Sequence, residues 1–177
     1  MCNYGGGLGK SLKPFVEYNE PGKIMIIETP QSKSAQLSAC WGPIESARAK
    51  VRGAEGVIVS GNVRQVDQFQ DAGLPVLSRG IAALGPREYM RLGSVNETLA
   101  IGGLKVDPDD ILLADDDGVV VVRQQELSQV IESCEYGVKH DEVVLQAIAE
   151  GSTMKEAWRK AYDLLGPPVE YARPFRR

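Results

Sequence analysis

Residues 41–80 read WGPIESARAKVRGAEGVIVSGNVRQVDQFQDAGLPVLSRG, and the succession of textures in this stretch decides the fold. At 56–61, GVIVSG is a run of β-branched and apolar residues closed by glycine at both ends, the pattern of a buried strand. PVLS at 75–78 repeats it. Between them the spacing predicts a short helix over 65–71, ended by Gly73. Ahead of them Pro43 fits the first turn of a helix, where its missing N–H costs nothing. In that helix Ile44, Ala47 and Val51 recur at helical spacing, which predicts a shared apolar face, and Gly53 closes it.

Outward from this core, Pro21-Gly22 is a turn and KIMIIET after it reads as another buried strand. Residues 35–52 read as helical with a break at Gly42-Pro43. Beyond Tyr89, RLGSVNETLAIGG, LKVDPDD and ILLADDDGVVVVR read as successive strands parted by Gly102-Gly103, Pro108-Asp109 and Asp117-Gly118. A long helix is expected over 124–150 and a last one over 153–165, stopped by Gly166-Pro167-Pro168. Strands alternating with helices imply a layered α/β domain with a parallel sheet. The expected organisation is a loose start at 1–20, one folded body at 21–166 that includes the C-terminal helices, and a tail at 167–177. Such sheets hold ligands beyond the carboxyl ends of their strands, which here points to SGNVR at 60–64.

Composition narrows the function classes. A net charge of −4 gives no molecule-wide drive toward nucleic acid or a membrane surface, and neither partner is expected. The basic end Arg173-Pro174-Phe175-Arg176-Arg177 reads as a solvated tail. No apolar run approaches the ~20 residues that span a bilayer. Cys2, Cys40 and Cys134 form no CxxC pair, which fits free thiols in a reducing compartment. MCNYGGGLGKS lacks the basic start and apolar stretch of a signal peptide, so a cytoplasmic protein is expected.

Three motifs invite chemistry that their surroundings do not support. GGGLGKS approaches a phosphate loop, but Tyr4 stands where its first glycine belongs and no strand precedes it. The aspartates of DPDD and ADDDG lack calcium-loop spacing and read as turn formers. His140, the only histidine, sits in a charged helical stretch with no nucleophile elbow in the chain. Trp41 and Trp158 read as packing residues on apolar helix faces.

The stretch at 41–80 also resembles the core of the RraA-like family, which includes the 4-hydroxy-4-methyl-2-oxoglutarate aldolases. Members read tryptophan-glycine, two apolar residues, an alanine-rich helix, GxxGVVVDGxVRD, a short helix and GxPVFARG. LKVDPDDILLADDDGVVVVR is similar to their later strands, and KHDEVVLQAIAEGSTMKEAWRKA to the C-terminal helices of fungal-type members. The match covers about residues 20–162 in one order. The resemblance implies a swivelling β/β/α fold and a trimer with sites between subunits. It implies cleavage or decarboxylation of 2-oxo acids with Mg²⁺ or Mn²⁺, or, as in the regulator of ribonuclease E activity, action by protein contact.

Carried over by residue, the resemblance makes Arg64 the carboxylate-binding arginine. It places the amide-donating pair at Ile44 and Glu45, just after Gly42 and Pro43. Gln65 stands where the metal-binding aspartate belongs, Gln68 where an assisting acid belongs, and Ser60 where an aspartate precedes glycine. Divalent cations favour carboxylates, so these replacements weaken the expectation of a metal, and Asp67 lies about 100° from Gln68 around the helix. The segment that usually precedes the first strand is expected to be missing or replaced by MCNYGGGLGKS. Arg64 and Gln65 are thus the candidate catalytic residues, Gly42, Ile44, Glu45 and Arg64 the candidate binding set, and a small carboxylate the expected ligand.

Overall fold

The computed structural model describes residues 2–4, 13–70, 73–86 and 89–168, and it divides into two compact units, Met1–Asp109 and Asp110–Arg177. GGGLGKS, the 173–177 tail and Asp71 lie outside the described residues.

The first unit is built on a six-stranded sheet among the described residues. Its strands are β1 (Cys2–Tyr4), β2 (Ile24–Glu28), β3 (Ala39–Trp41), β4 (Gly56–Val63), β5 (Val76–Ile81) and β6 (Leu92–Val95). Helix α1 (Pro43–Val51) joins β3 to β4, and α2 (Val66–Gln70) leads from β4 toward β5. A hairpin of β7 (Leu99–Ile101) and β8 (Leu104–Val106) turns at Gly102-Gly103, both with positive φ. The apolar run of β4 places it at the centre: Val57 and Val59 are almost wholly buried with Met25, Ile27 and Trp41.

One edge of β4 carries β5 along most of its length, all parallel. The other edge is shared end to end. Parallel β2 pairs with residues 56–60, and parallel β3 takes over at Asn62 and Val63. Gly61 marks the changeover. Buried Thr29, just past β2, fills the fork and donates its Oγ1 hydrogen to the Ser60 carbonyl at 2.7 Å. A methyl on Gly61 would lie 2.7 Å from Thr29 Cγ2. Gly61→Ala is therefore expected to lower stability by about 1–3 kcal/mol through overpacking, and Thr29→Ala in the same chain to restore part of it, read by urea unfolding.

Three expectations are corrected in this unit. Ala39–Trp41 is a strand and not helix, because the end of β4 offers it an open ladder and all three side chains are buried there. The apolar face of α1 is reversed. Ser46 and Ala49 face the core, while Ile44 and Val51 are 76% and 77% exposed. Small residues go inward because Trp41 fills the space and donates its indole N–H to Ser46 Oγ at 2.7 Å. Nor is the start of the chain uniformly loose, and a strand does precede GGGLGKS, contrary to expectation. Cys2–Tyr4 pairs with the free edge of β2, Val16 is buried, and Glu17 is forked by Arg48 at 2.7 and 2.8 Å, with Arg52 at 3.2 Å. That fork holds the Glu17 carboxyl below its usual range.

The second unit holds a hairpin of β9 (Ile111–Asp115) and β10 (Gly118–Val122), then α3 (Leu127–Ala149) and α4 (Met154–Leu165). The amides of Asp117 and Gly118 donate to Asp115 Oδ1, the turn chemistry expected of ADDDG. Helices α3 and α4 pack through Val144, Ala147, Ala157 and Ala161. Thr153 and Glu156 form a reciprocal capping box at the start of α4. Trp158, expected to pack, is instead 52% exposed, since the small alanines take the contact face of α4. His140 lies beside Asp141 on α3, with no catalytic partner among the described residues around it.

Candidate functional site

Two parallel strands end side by side and build the site. Trp41, the last residue of β3, pairs with Val63, the last of β4, and the Arg64 amide donates to the Trp41 carbonyl at 3.0 Å. The next residues are therefore neighbours: Gly42, the residue capping α1, and Arg64. Arg64 Cγ and Glu45 Oε2 each lie 3.5 Å from the point where a Gly42 side chain would begin. The arginine stem and the glutamate carboxylate thus meet over the glycine, within twice that distance of each other. Gly42 is buried and extended, at φ −162°, so no unusual backbone requires a glycine here, and the two groups stand at ordinary contact distance from it.

Helix α1 begins at this point. Pro43 brings no N–H, and the amides of Ile44 and Glu45 belong to the first turn, which has no carbonyl partners within the helix. Gly42 has no side chain to cap them. Ile44 and Glu45 therefore present donors at the positive end of the helix dipole, beside Arg64. Arg48 and Arg52 are committed to Glu17, whereas the Arg64 guanidinium has no carboxylate partner among the described residues. The structure thus brings together Gly42, Ile44, Glu45 and Arg64.

Gln65 follows Arg64 with φ +55°, a left-handed conformation that is uncommon for a long side chain. It turns the chain into α2, and its Nε2 donates to Gln68 Oε1 at 3.5 Å. Gln65 and Gln68 therefore reach each other across one turn, and Asp67 is exposed beside them. Held by Gln65 and Gln68 alone, a cation would meet two neutral amides, whereas Mg²⁺ and Mn²⁺ favour carboxylates. No cluster of three His, Cys, Asp or Glu side chains suited to a metal occurs among the described residues.

Ser60 is buried at the fork and accepts a hydrogen bond from Arg79 Nε at 3.1 Å. Arg79 had no role in the reading of the sequence, although LSRG at 77–80 matches the family's arginine-glycine pair. A hydroxyl thus accepts from Arg79 where the family pattern has a carboxylate. A separate apolar groove of about 530 Å³ is lined by Val63, Val66, Phe69, Leu74, Val76 and Ile81, and the arginine is not part of it.

Parallel strands β3 and β4, whose ends set an arginine beside a helix start, define an α/β fold of the kind that presents its loops beyond the carboxyl ends of its strands. The chain belongs to the RraA-like family: the sequence pattern of that family, described as Aldolase/RraA, matches residues 9–121. A protein of Methanocaldococcus jannaschii is 24% identical over 158 residues, 84% of this chain and 76% of that one. A Hahella chejuensis protein, provisionally named a 4-hydroxy-4-methyl-2-oxoglutarate aldolase, is 30% identical over 62% of this chain and 65% of its own length. The chain spans only 19% of DlpA of Legionella pneumophila, at 30% identity. Among solved structures, RraAS2 of Streptomyces coelicolor superposes with a TM-score of 0.69 at 22% identity, over 80% of this chain and 71% of that one. A protein of Pseudomonas syringae reaches 0.74 at 24% identity, over 88% and 74%. The swivelling α/β architecture with C-terminal helices is thus that of RraA-like proteins.

Proposed function

We propose that this protein binds a small 2-oxo carboxylate on Arg64 and handles its enolate as a lyase-like enzyme with weakened or lost dependence on a divalent metal. The observation that carries this reading is the meeting of Arg64 and the start of α1 over Gly42. A guanidinium grips a carboxylate through a planar fork, and first-turn amides stabilise an oxyanion. Carbon–carbon cleavage or decarboxylation next to a ketone leaves its electron pair on an enolate. In this site that oxygen is served by the Ile44 and Glu45 amides, and by Gln65 through its side-chain N–H₂. In aldolases of the family the metal would supply Lewis acidity. Gln65 and Gln68 supply no charge for holding one, so no step here is assigned to it.

The test is exchange of the pyruvate methyl protons with D₂O, followed by NMR with excess EDTA; buffer base takes the methyl proton, solvent returns a deuteron, and the site's donors stabilise the enolate oxygen between the two. The exchange is expected to run faster than in buffer and to be insensitive to EDTA. Exchange no faster than buffer would overturn the reading.

A second reading, a regulatory protein acting through contact with another protein, is favoured by the exposure of Ile44 and Val51 on the outer face of α1. Large apolar side chains on that face suit burial by another chain. The same observation supports a homotrimer with the site at a subunit boundary. No helix of the described residues is long and apolar enough to cross a membrane.

A further inference from the structure

We infer that the site selects singly charged 2-oxo carboxylates over doubly charged ones, and that Glu45 sets this selection. The inference rests on the carboxylate reading of Arg64 and extends it to the class of substrate. It follows from which charges the structure places around one point. The Glu45 carboxylate and the Arg64 stem stand over Gly42, each 3.5 Å from the same position. Arg64 brings one positive charge and Glu45 one negative. Gln65 and Gln68, joined to each other at 3.5 Å, bring none. The next ionisable group along α2, the exposed Asp67, is a second negative charge. Arg48 and Arg52 give theirs to Glu17.

One ligand carboxylate therefore matches Arg64. Among these described residues a second finds no free cation, and it meets the Glu45 carboxylate. Like charges separated by several ångströms in partly exposed surroundings repel by roughly 1 kcal/mol, about three- to tenfold in affinity, an effect that salt reduces. Ligands whose remainder is neutral, such as a methyl ketone or an uncharged hydroxyalkyl chain, escape this repulsion. Glu45 is thus a specificity-determining residue, with no proton transfer assigned to it.

Pyruvate and oxalate test this closely. They are nearly the same size, and oxalate replaces the methyl ketone by a second carboxylate. Titrations of the full chain are made by calorimetry with excess EDTA at neutral pH. The unaltered protein is expected to bind pyruvate at least threefold more tightly than oxalate. Glu45→Gln, which keeps a helix-compatible side chain at the same position, is expected to shift the ratio toward oxalate by about three- to tenfold. Glu45→Ala should move it the same way. Tighter binding of oxalate by the unaltered protein, or a ratio unmoved in both variants, overturns the inference. Arg64→Ala separates it from the reading beneath: lost pyruvate binding keeps Arg64 as the anchor whatever Glu45 does. Undiminished binding in Arg64→Ala, or no binding of either ligand by the unaltered protein, removes both.

Discussion

Replacing Gln65 by Asp and Gln68 by Glu together is expected to raise Mn²⁺-dependent decarboxylation of oxaloacetate by about a hundredfold or more over the unaltered protein. A bound divalent cation contributes several kcal/mol of charge stabilisation at a developing enolate, and each 1.4 kcal/mol is about tenfold in rate. The geometry for it is largely present. The Gln65 and Gln68 side chains already meet at 3.5 Å. Neighbouring ligands at about 2.1 Å from an octahedral ion lie about 3 Å apart, so two carboxylates there are close enough to share one cation or its waters. The backbone also favours the change. Residue 65 has φ +55°, a conformation aspartate adopts more readily than glutamine. The added cation would further balance the second charge of oxaloacetate, which Glu45 otherwise opposes. The assay compares both proteins with Mn²⁺ and with EDTA. Fast metal-dependent turnover by the unaltered protein would contradict the weakening of its metal site.

Arg64→Ala is expected to weaken pyruvate binding by about a hundredfold. Hydrogen bonds to charged groups contribute about 1.5–3 kcal/mol each, and a guanidinium offers a carboxylate two. The residue is half-buried at the end of β4 and its head has no internal carboxylate to hold, so its removal should leave the fold intact. Equal urea midpoints for the variant and the unaltered protein would separate lost binding from lost structure. Arg64→Lys should recover only part of the affinity, because an ammonium provides the charge without the fork.

Much of the sheet was legible from residue pattern alone. KIMIIE and GVIVSG are apolar runs that a buried parallel strand requires, and both became β2 and β4. What tertiary contact decides was not legible. Ala39–Trp41 has helical texture, yet it lies in the ladder left open beyond β2. Helix α1 has its largest apolar side chains on the side away from the core, so periodicity alone chose the wrong face. At the site, the resemblance picked out Arg64, Gly42, Ile44 and Glu45, and the parallel ends of β3 and β4 explain why residues twenty apart in sequence become neighbours. The pairing of Gln65 with Gln68 and the hold of Ser60 on Arg79 depend on side-chain reach, which no spacing reveals.

The most direct measurement is a calorimetric titration of pyruvate into the unaltered protein, first with excess EDTA and then with saturating Mn²⁺. A carboxylate site built on Arg64 without a cation should give the same affinity in both. Binding that appears only when Mn²⁺ is present would contradict it.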